Sequence, residues 1–374
     1  MNMNNEDLDI YRALQKHLDK LPIGFPATES GVELRLLKHL FTPKQAELAL
    51  SLGFQPTVLK KIHRKVKKTG ITIEQLEKEL DKMEEDGLIH FGSTKEGDEI
   101  IKYYANAPLV IGFYEFQLNH LTEDLYNNFM QYMEEAFIHE FNKTGIPQVR
   151  TIPIEESITY EQNISTYDEL RTMIENIGEP ISVQECICRQ AKDLVGDPCK
   201  KTDLRESCFA FRSFAETYIK KGLGREISKE EALKILRKAE EDGLVLQPGN
   251  SLRPMSICTC CGCCCGILVN QNKLPEPAQF FATNYYATVD EDLCVACGIC
   301  EDRCNMNAIH VEDNIAHVDK ARCIGCGVCI PTCTSEALKL HKKEEEIIPP
   351  KNTKDTYMAI MDKKAELARA EKSS

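Results

Sequence analysis

CVACGICEDRC (residues 294–304) and CIGCGVCIPTC (residues 323–333) are one motif written twice. Cys294, Cys297, Cys300 and Cys304 stand at C-x2-C-x2-C-x3-C spacing, and Cys323, Cys326, Cys329 and Cys333 repeat it at an offset of 29 residues. Gly298, Ala308 and Ile309 return as Gly327, Ala337 and Leu338, so the duplication reaches beyond the cysteines. Eight thiols in duplicated spacing point to metal ligation. Zinc is the bland alternative, and the duplicated spacing argues against it.

The chain has 18 cysteines in all, every one at or beyond Cys186, so its first half is free of them and its second half dense. Many cysteines mean either secreted disulfides or intracellular metal thiolates and redox chemistry. The start, MNMNNEDLDIYRALQKHLDK, has no basic segment followed by an apolar one, and no stretch is apolar enough to span a membrane. The expectation is a reducing cytoplasm, metal thiolates and no membrane insertion. A net charge of −13 disfavours nucleic acid as the main partner and suits docking on a basic patch of a redox partner protein.

The duplicated motif resembles the bacterial-type two-cluster ferredoxin family. In that family two-residue gaps let one loop wrap three thiolates around three irons, while the fourth cysteine reaches the other cluster. The resemblance implies two [4Fe–4S] clusters, one on Cys294, Cys297, Cys300 and Cys333, the other on Cys323, Cys326, Cys329 and Cys304. Where the family usually has proline after the fourth cysteine, this chain has Asn305 and Thr334. Each carries a backbone N–H able to donate to a cluster sulfur and so to tune its potential.

Ten cysteines remain: Cys186, Cys188, Cys199, Cys208, Cys258, Cys260, Cys261, Cys263, Cys264 and Cys265. They concentrate in ECICRQ (185–190) and CTCCGCCCG (258–266), and no histidine lies between residues 140 and 309. Any metal here has thiolate ligands, which select zinc, copper(I) or iron–sulfur clusters. The readings are an additional iron–sulfur cluster, a zinc–thiolate site, or a reactive thiol cluster. Which four cysteines would ligate is not fixed by spacing.

The rest of the chain reads as α+β and multidomain. Residues 1–31 give a short helix (Leu8–Leu18) and the connector LPIGFPATESG. From Val32 three amphipathic helices follow, carrying Leu36, Leu37 and Leu40, then Leu59, Ile62 and Val66, then Leu76, Leu80 and Met83 after a Thr72 N-cap. Two strands around Leu88–Phe91 and Glu99–Tyr104 flank the turn GSTKEGD. Helix–helix–helix–hairpin resembles a winged-helix domain, placed within 32–148 with a long helix over 108–145. The third helix would present Glu74, Glu77, Glu79, Asp81, Glu84, Glu85 and Asp86, a face that repels phosphate, so strong nucleic-acid binding is not expected. A cysteine-rich α+β middle domain is expected over 149–283, entered by a strand at TIPIEESITY and containing a helix capped by Ser228 and Glu231. The ferredoxin domain is placed at 284–342 and a polar tail at 343–374.

Taken whole, the chain resembles dicluster-ferredoxin proteins of anaerobes that share the LPIGFPATESGVELRLLKHLF-like start, the CICR segment, the CCGCCCG segment and the C-terminal ferredoxin. No dinucleotide fingerprint, P-loop or flavin signature is present, so a partner would supply the electrons. Electron transfer is the first expectation. A reductase built on the middle cysteines, and a redox-sensing winged-helix regulator, are the alternatives.

Overall fold

A computed structural model describes residues 5–158 and 165–372. Helices and strands are mixed, and the chain divides into two compact units: residues 1–143 with 360–374, and residues 144–359.

The first unit is mainly helical. Helices Asn5–Leu18, Val32–Leu40, Pro43–Ala49, Leu59–Val66 and Ile73–Glu85 bury Leu14, Leu37, Ile62, Leu76, Leu80 and Met83 in its interior. Thr72 caps the last of these, its hydroxyl accepting from Gln75 N–H while Gln75 answers to the Thr72 N–H. Helix Pro43–Ala49 is additional to those expected, although Thr42, Pro43 and Gln45 spell the same capping box with proline at the first position. Strands β1 (Thr57–Val58), β2 (Ile89–Glu96) and β3 (Glu99–Asn106) form one antiparallel sheet in the order β1-β3-β2. The expected seven-residue turn is therefore only Gly97–Asp98, with Gly97 left-handed at φ 64°. The polar Ser93–Glu96 stretch continues the ladder as an exposed ribbon.

The long helix expected over 108–145 is interrupted. Ile111 sits at φ 44° and the chain turns irregularly between Pro108 and Thr122 before helix Glu123–Tyr132 begins. Val110 and Gly112 are extended and Ile111 is left-handed, which no continuous helix allows. The buried stripe survives in Leu125, Phe129, Met133 and Phe137.

The second unit is organised by a five-stranded antiparallel sheet. Its strands are β4 (Ile181–Glu185), β5 (Glu206–Phe211), β6 (Gly224–Ile227), β7 (Val245–Pro248) and β8 (Ser256–Cys260), in the order β6-β4-β5-β8-β7. Successive side chains face opposite sides. Val183, Phe209, Phe211 and Ile257 face a core completed by Leu170 and Ile174 of helix Leu170–Asn176 and by Leu236 of helix Lys229–Glu241. The latter begins at Ser228, whose hydroxyl accepts from Glu231 N–H. TIPIEESITY forms isolated bridges, such as Ile152 with Leu246, and a short turn rather than a strand; Thr159 and Tyr160 lie outside the described residues.

The duplicated motif is built on two ribbons. Strands β9 (Tyr285–Val289) and β12 (Leu338–Lys342) pair antiparallel, as do β10 (Ile309–Glu312) and β11 (Ile315–Val318). The duplication extends to the backbone. Ala296 and Gly325, Gly298 and Gly327, and Asn307 and Glu336 are repeat-related pairs that all have positive φ, from 49° to 78°. Val328 and Cys326 join the core of the five-stranded sheet, and Ile154 N–H donates to Cys326 O at 3.1 Å. The cysteine-rich and ferredoxin segments thus share one core.

The last helix, Thr353–Glu371, holds Ile360 fully buried. Among the described residues no helix is long and apolar enough to cross a membrane.

Candidate metal centre

In the duplicated motif, each loop brings its first three cysteines together and takes the fourth from the other loop. A small cavity is lined by Cys294, Cys297, Cys300 and Cys333, closed by Val289 and Leu338. In the second loop, burial pushes the Cys329 thiol well up, reinforced by Cys326, Cys304 and Cys323 beside it. Burial likewise raises Cys326 to about 12.

Backbone N–H groups already point at sulfur. Ala316 N–H donates to Cys294 Sγ at 3.3 Å, Ala308 to Cys304 at 3.2 Å and Ala287 to Cys323 at 3.4 Å. N–H···S bonds of this kind stabilise electron-rich cluster sulfur and raise the potential. The donor set and these amides fit an iron–sulfur cluster. The two loops differ in exposure at one position: Cys297 is open to solvent, whereas its repeat equivalent Cys326 packs against the core of the five-stranded sheet.

The Asn305 side chain has a role of its own, which the sequence did not indicate. Its Oδ1 accepts from Gly262 N–H at 2.9 Å and its Nδ2 donates to Gly243 O at 2.7 Å. Its carbonyl accepts from Asn272 Nδ2 at 2.8 Å. A Cβ at Gly262 would collide with the Asn305 carbonyl, so only glycine permits this approach. The residue after Cys304 is thereby fastened into CTCCGCCCG.

The ten other cysteines fall into two groups. Cys199, Cys261, Cys263 and Cys264 have all their sulfurs within 4.8 Å of one another. Cys199 lies 3.6 Å from Cys261 and 3.8 Å from Cys263, while Cys263 lies 3.5 Å from Cys261 and 3.6 Å from Cys264. Leu204, Leu244 and Ala239 pack around them. Hydrogen bonds from Cys261, then Cys263 and Cys264, hold the Cys199 thiol far below its usual range.

The other six, Cys186, Cys188, Cys208, Cys258, Cys260 and Cys265, lie outside that group. Hydrogen bonding among these thiols lowers Cys186, Cys258 and Cys265 and raises Cys188, Cys208 and Cys260. The sheet explains half of this arrangement. The pairing of Phe209 with Ile257 sets Cys208 beside Cys258 one step on. Cys258 and Cys260, two apart, share that face. Cys186 and Cys265 immediately precede helices Ile187–Leu194 and Gly266–Gln271.

Sequence reasoning missed Arg189, though an arginine directly after C-x-C was its signal. It is fully buried, donating to Ser207 Oγ at 2.5 Å and Thr259 O at 2.6 Å. Its two partners, Ser207 and Thr259, are chain neighbours of Cys208 and of Cys258 and Cys260.

The chain matches the 4Fe-4S binding domain family over residues 287–310, the first of the two motifs. No curated protein and no solved structure matches the chain. The chain therefore carries a ferredoxin-type iron–sulfur unit with at least one [4Fe–4S] cluster, beside a cysteine-rich region with a metal-binding arrangement.

Proposed function

We propose that this is an electron-transfer protein with two [4Fe–4S] clusters, one on Cys294, Cys297, Cys300 and Cys333 and one on Cys323, Cys326, Cys329 and Cys304. A further metal–thiolate centre lies among the ten middle cysteines. The clusters supply one-electron redox chemistry; the chain sets their potentials through burial and N–H···S bonds.

The Asn305 clamp carries the reading. The neighbour of ligand Cys304 is hydrogen-bonded to Gly262, between Cys261 and Cys263. That supplies a short bonded path from the second cluster to the thiol-rich segment. The first cluster is the point of exchange with a redox partner. Around exposed Cys297, Val295 and Ile299 are exposed, and Glu291, Asp292, Glu301 and Asp302 form an acidic rim suited to a basic partner patch. A reducing cytoplasm keeps the thiols available for metal. Strong nucleic-acid binding is not expected: the solvent side of helix Ile73–Glu85 carries Glu74, Glu77, Glu79, Asp81 and Glu85 against Lys78 and Lys82, while Glu84 is buried.

Anaerobically purified protein should hold at least about eight irons with matching sulfide, from two distinguishable clusters. Cys333→Ala should damage the cluster of the first loop, read by EPR. Damage confined to the Cys323–Cys326–Cys329 cluster would overturn the crossed ligation.

A further inference from the structure

Cys199, Cys261, Cys263 and Cys264 meet from two segments of the chain. Cys199 lies in the loop after helix Ile187–Leu194, and the other three lie just beyond the end of β7's partner, strand β8. Buried cysteines often serve only as small apolar fillers. That reading suits Cys261 and Cys264, which are buried, but not Cys199 and Cys263, which are half-buried and still turn toward the same point.

Distance selects the kind of metal such a group fits. A zinc ion with metal–sulfur bonds of about 2.3 Å holds its thiolates about 3.8 Å apart along the edges of a tetrahedron. Cys261 lies 3.6 Å from Cys199 and 3.5 Å from Cys263, and Cys263 lies 3.8 Å from Cys199 and 3.6 Å from Cys264. The two remaining pairs, Cys264 with Cys199 and with Cys261, stay within 4.8 Å. A cubane binds each thiolate to a different iron, so its ligands spread wider than those of a single ion. The eight cysteines of the duplicated motif, proposed as cubane ligands, show that contrast: among the described residues they do not gather within 4.8 Å as these four do. Four thiolates fill a tetrahedron and leave no open position, the coordination of a structural zinc.

The surroundings give such an ion a task. Two residues after Cys199, Lys201 donates through Nζ to the Asp302 carbonyl. Between Cys261 and Cys263, Gly262 donates its N–H to Asn305 Oδ1 at 2.9 Å. Asp302 and Asn305 bracket Cys304, the proposed fourth ligand of the second cluster. Both segments that supply the four thiols are thus bonded to the one stretch, 302–305, and the thiols are where these segments join.

We infer that Cys199, Cys261, Cys263 and Cys264 bind a single zinc ion, closed to further ligands, which fastens the Cys199 loop to CTCCGCCCG and so braces the stretch that carries Cys304. This is the metal–thiolate centre of the proposed function, and it rests on that reading. Zinc has no redox chemistry of its own, so the ion holds the second cluster's ligand in place and stores no electron.

The test uses the full chain, purified anaerobically, with zinc, iron and sulfide quantified and EPR recorded after reduction. Wild type should hold one zinc per chain. Cys199→Ala and Cys263→Ala, both at half-buried positions, should each lose it and keep the ferredoxin EPR signals, which report that the fold is intact. Cys265→Ala, next in the chain but outside the group, should keep it. Zinc retained in the first two variants, or lost in Cys265→Ala, would overturn the ligand set. Iron and sulfide lost from those variants, with no zinc in wild type, would show a cluster on these thiols and overturn the single ion. One iron without sulfide in place of zinc would overturn the choice of metal. A ferrous chelator then reads the brace: iron of the second cluster should leave several-fold faster in Cys263→Ala than in wild type, and an unchanged rate would overturn that role. Absence of any metal beyond the ferredoxin irons would instead refute the reading of the middle segment on which the zinc site rests.

Discussion

Replacing Asn305 by alanine tests the join between the second ferredoxin loop and the cysteine-packed segment. The residue is 3% exposed, and its side chain makes two buried hydrogen bonds, to Gly262 N–H and Gly243 O. Alanine leaves both backbone groups buried without a partner, at about 1–3 kcal/mol each. The bond to the Asn305 carbonyl survives and some relaxation is available, so we expect a loss of about 2–4 kcal/mol. Asn305→Asp keeps the acceptor for Gly262 but sets a carboxylate against the Gly243 carbonyl, and should be at least as costly. The assay is anaerobic denaturant unfolding of the metal-loaded protein, followed by circular dichroism and by cluster absorbance. Loss of the second cluster should precede global unfolding in the variant more than in wild type. A change within about 0.5 kcal/mol, the range of an ordinary surface substitution, would refute the clamp.

Gly262→Ala should reproduce the Asn305→Ala phenotype, because the added Cβ meets the Asn305 carbonyl; a variant with wild-type unfolding would show that the approach is not required. Burial raises the Glu240 carboxyl to about 7, against an ordinary value of 4.5. The folded state therefore holds this proton where the unfolded state releases it, and stability is lost as pH rises from about 4.5 through 7. Glu240→Gln should be close to neutral at about pH 4 and stabilising by about 2 kcal/mol at about pH 8, measured by denaturant midpoints; an equal effect at both pH values would refute this. Asp168→Ala should destabilise the second unit by about 3–5 kcal/mol, since it strips the partner from buried Arg150, and a loss under about 1 kcal/mol would show that the pair is not needed. Duplex DNA should bind weakly even at low salt, where phosphate contacts are strongest; sub-micromolar, sequence-specific binding would revive a regulatory role.

The ferredoxin unit was legible in the amino-acid order alone, because a cluster loop is a local object: ligands three residues apart, with turns between them, meet whatever the rest of the chain does. Capped helices such as Ile73–Glu85 and Lys229–Glu241 were legible for the same reason, their signals lying within one turn. Irregular backbone was not, and the helix expected over 108–145 fails at Ile111, whose positive φ is one that a β-branched residue gives no sign of adopting. The division of the ten middle cysteines was closed to sequence reasoning altogether. Cys263, Cys264 and Cys265 are consecutive, yet the first two gather with Cys199, more than sixty positions away, and Cys265 stands outside that group. Spacing along the chain cannot distinguish neighbours whose side chains leave in different directions. That choice was made by the register of β5 on β8, which sets Cys208 beside Cys258, and by the close approach of Asn305 to Gly262, both of which exist only once distant segments have packed.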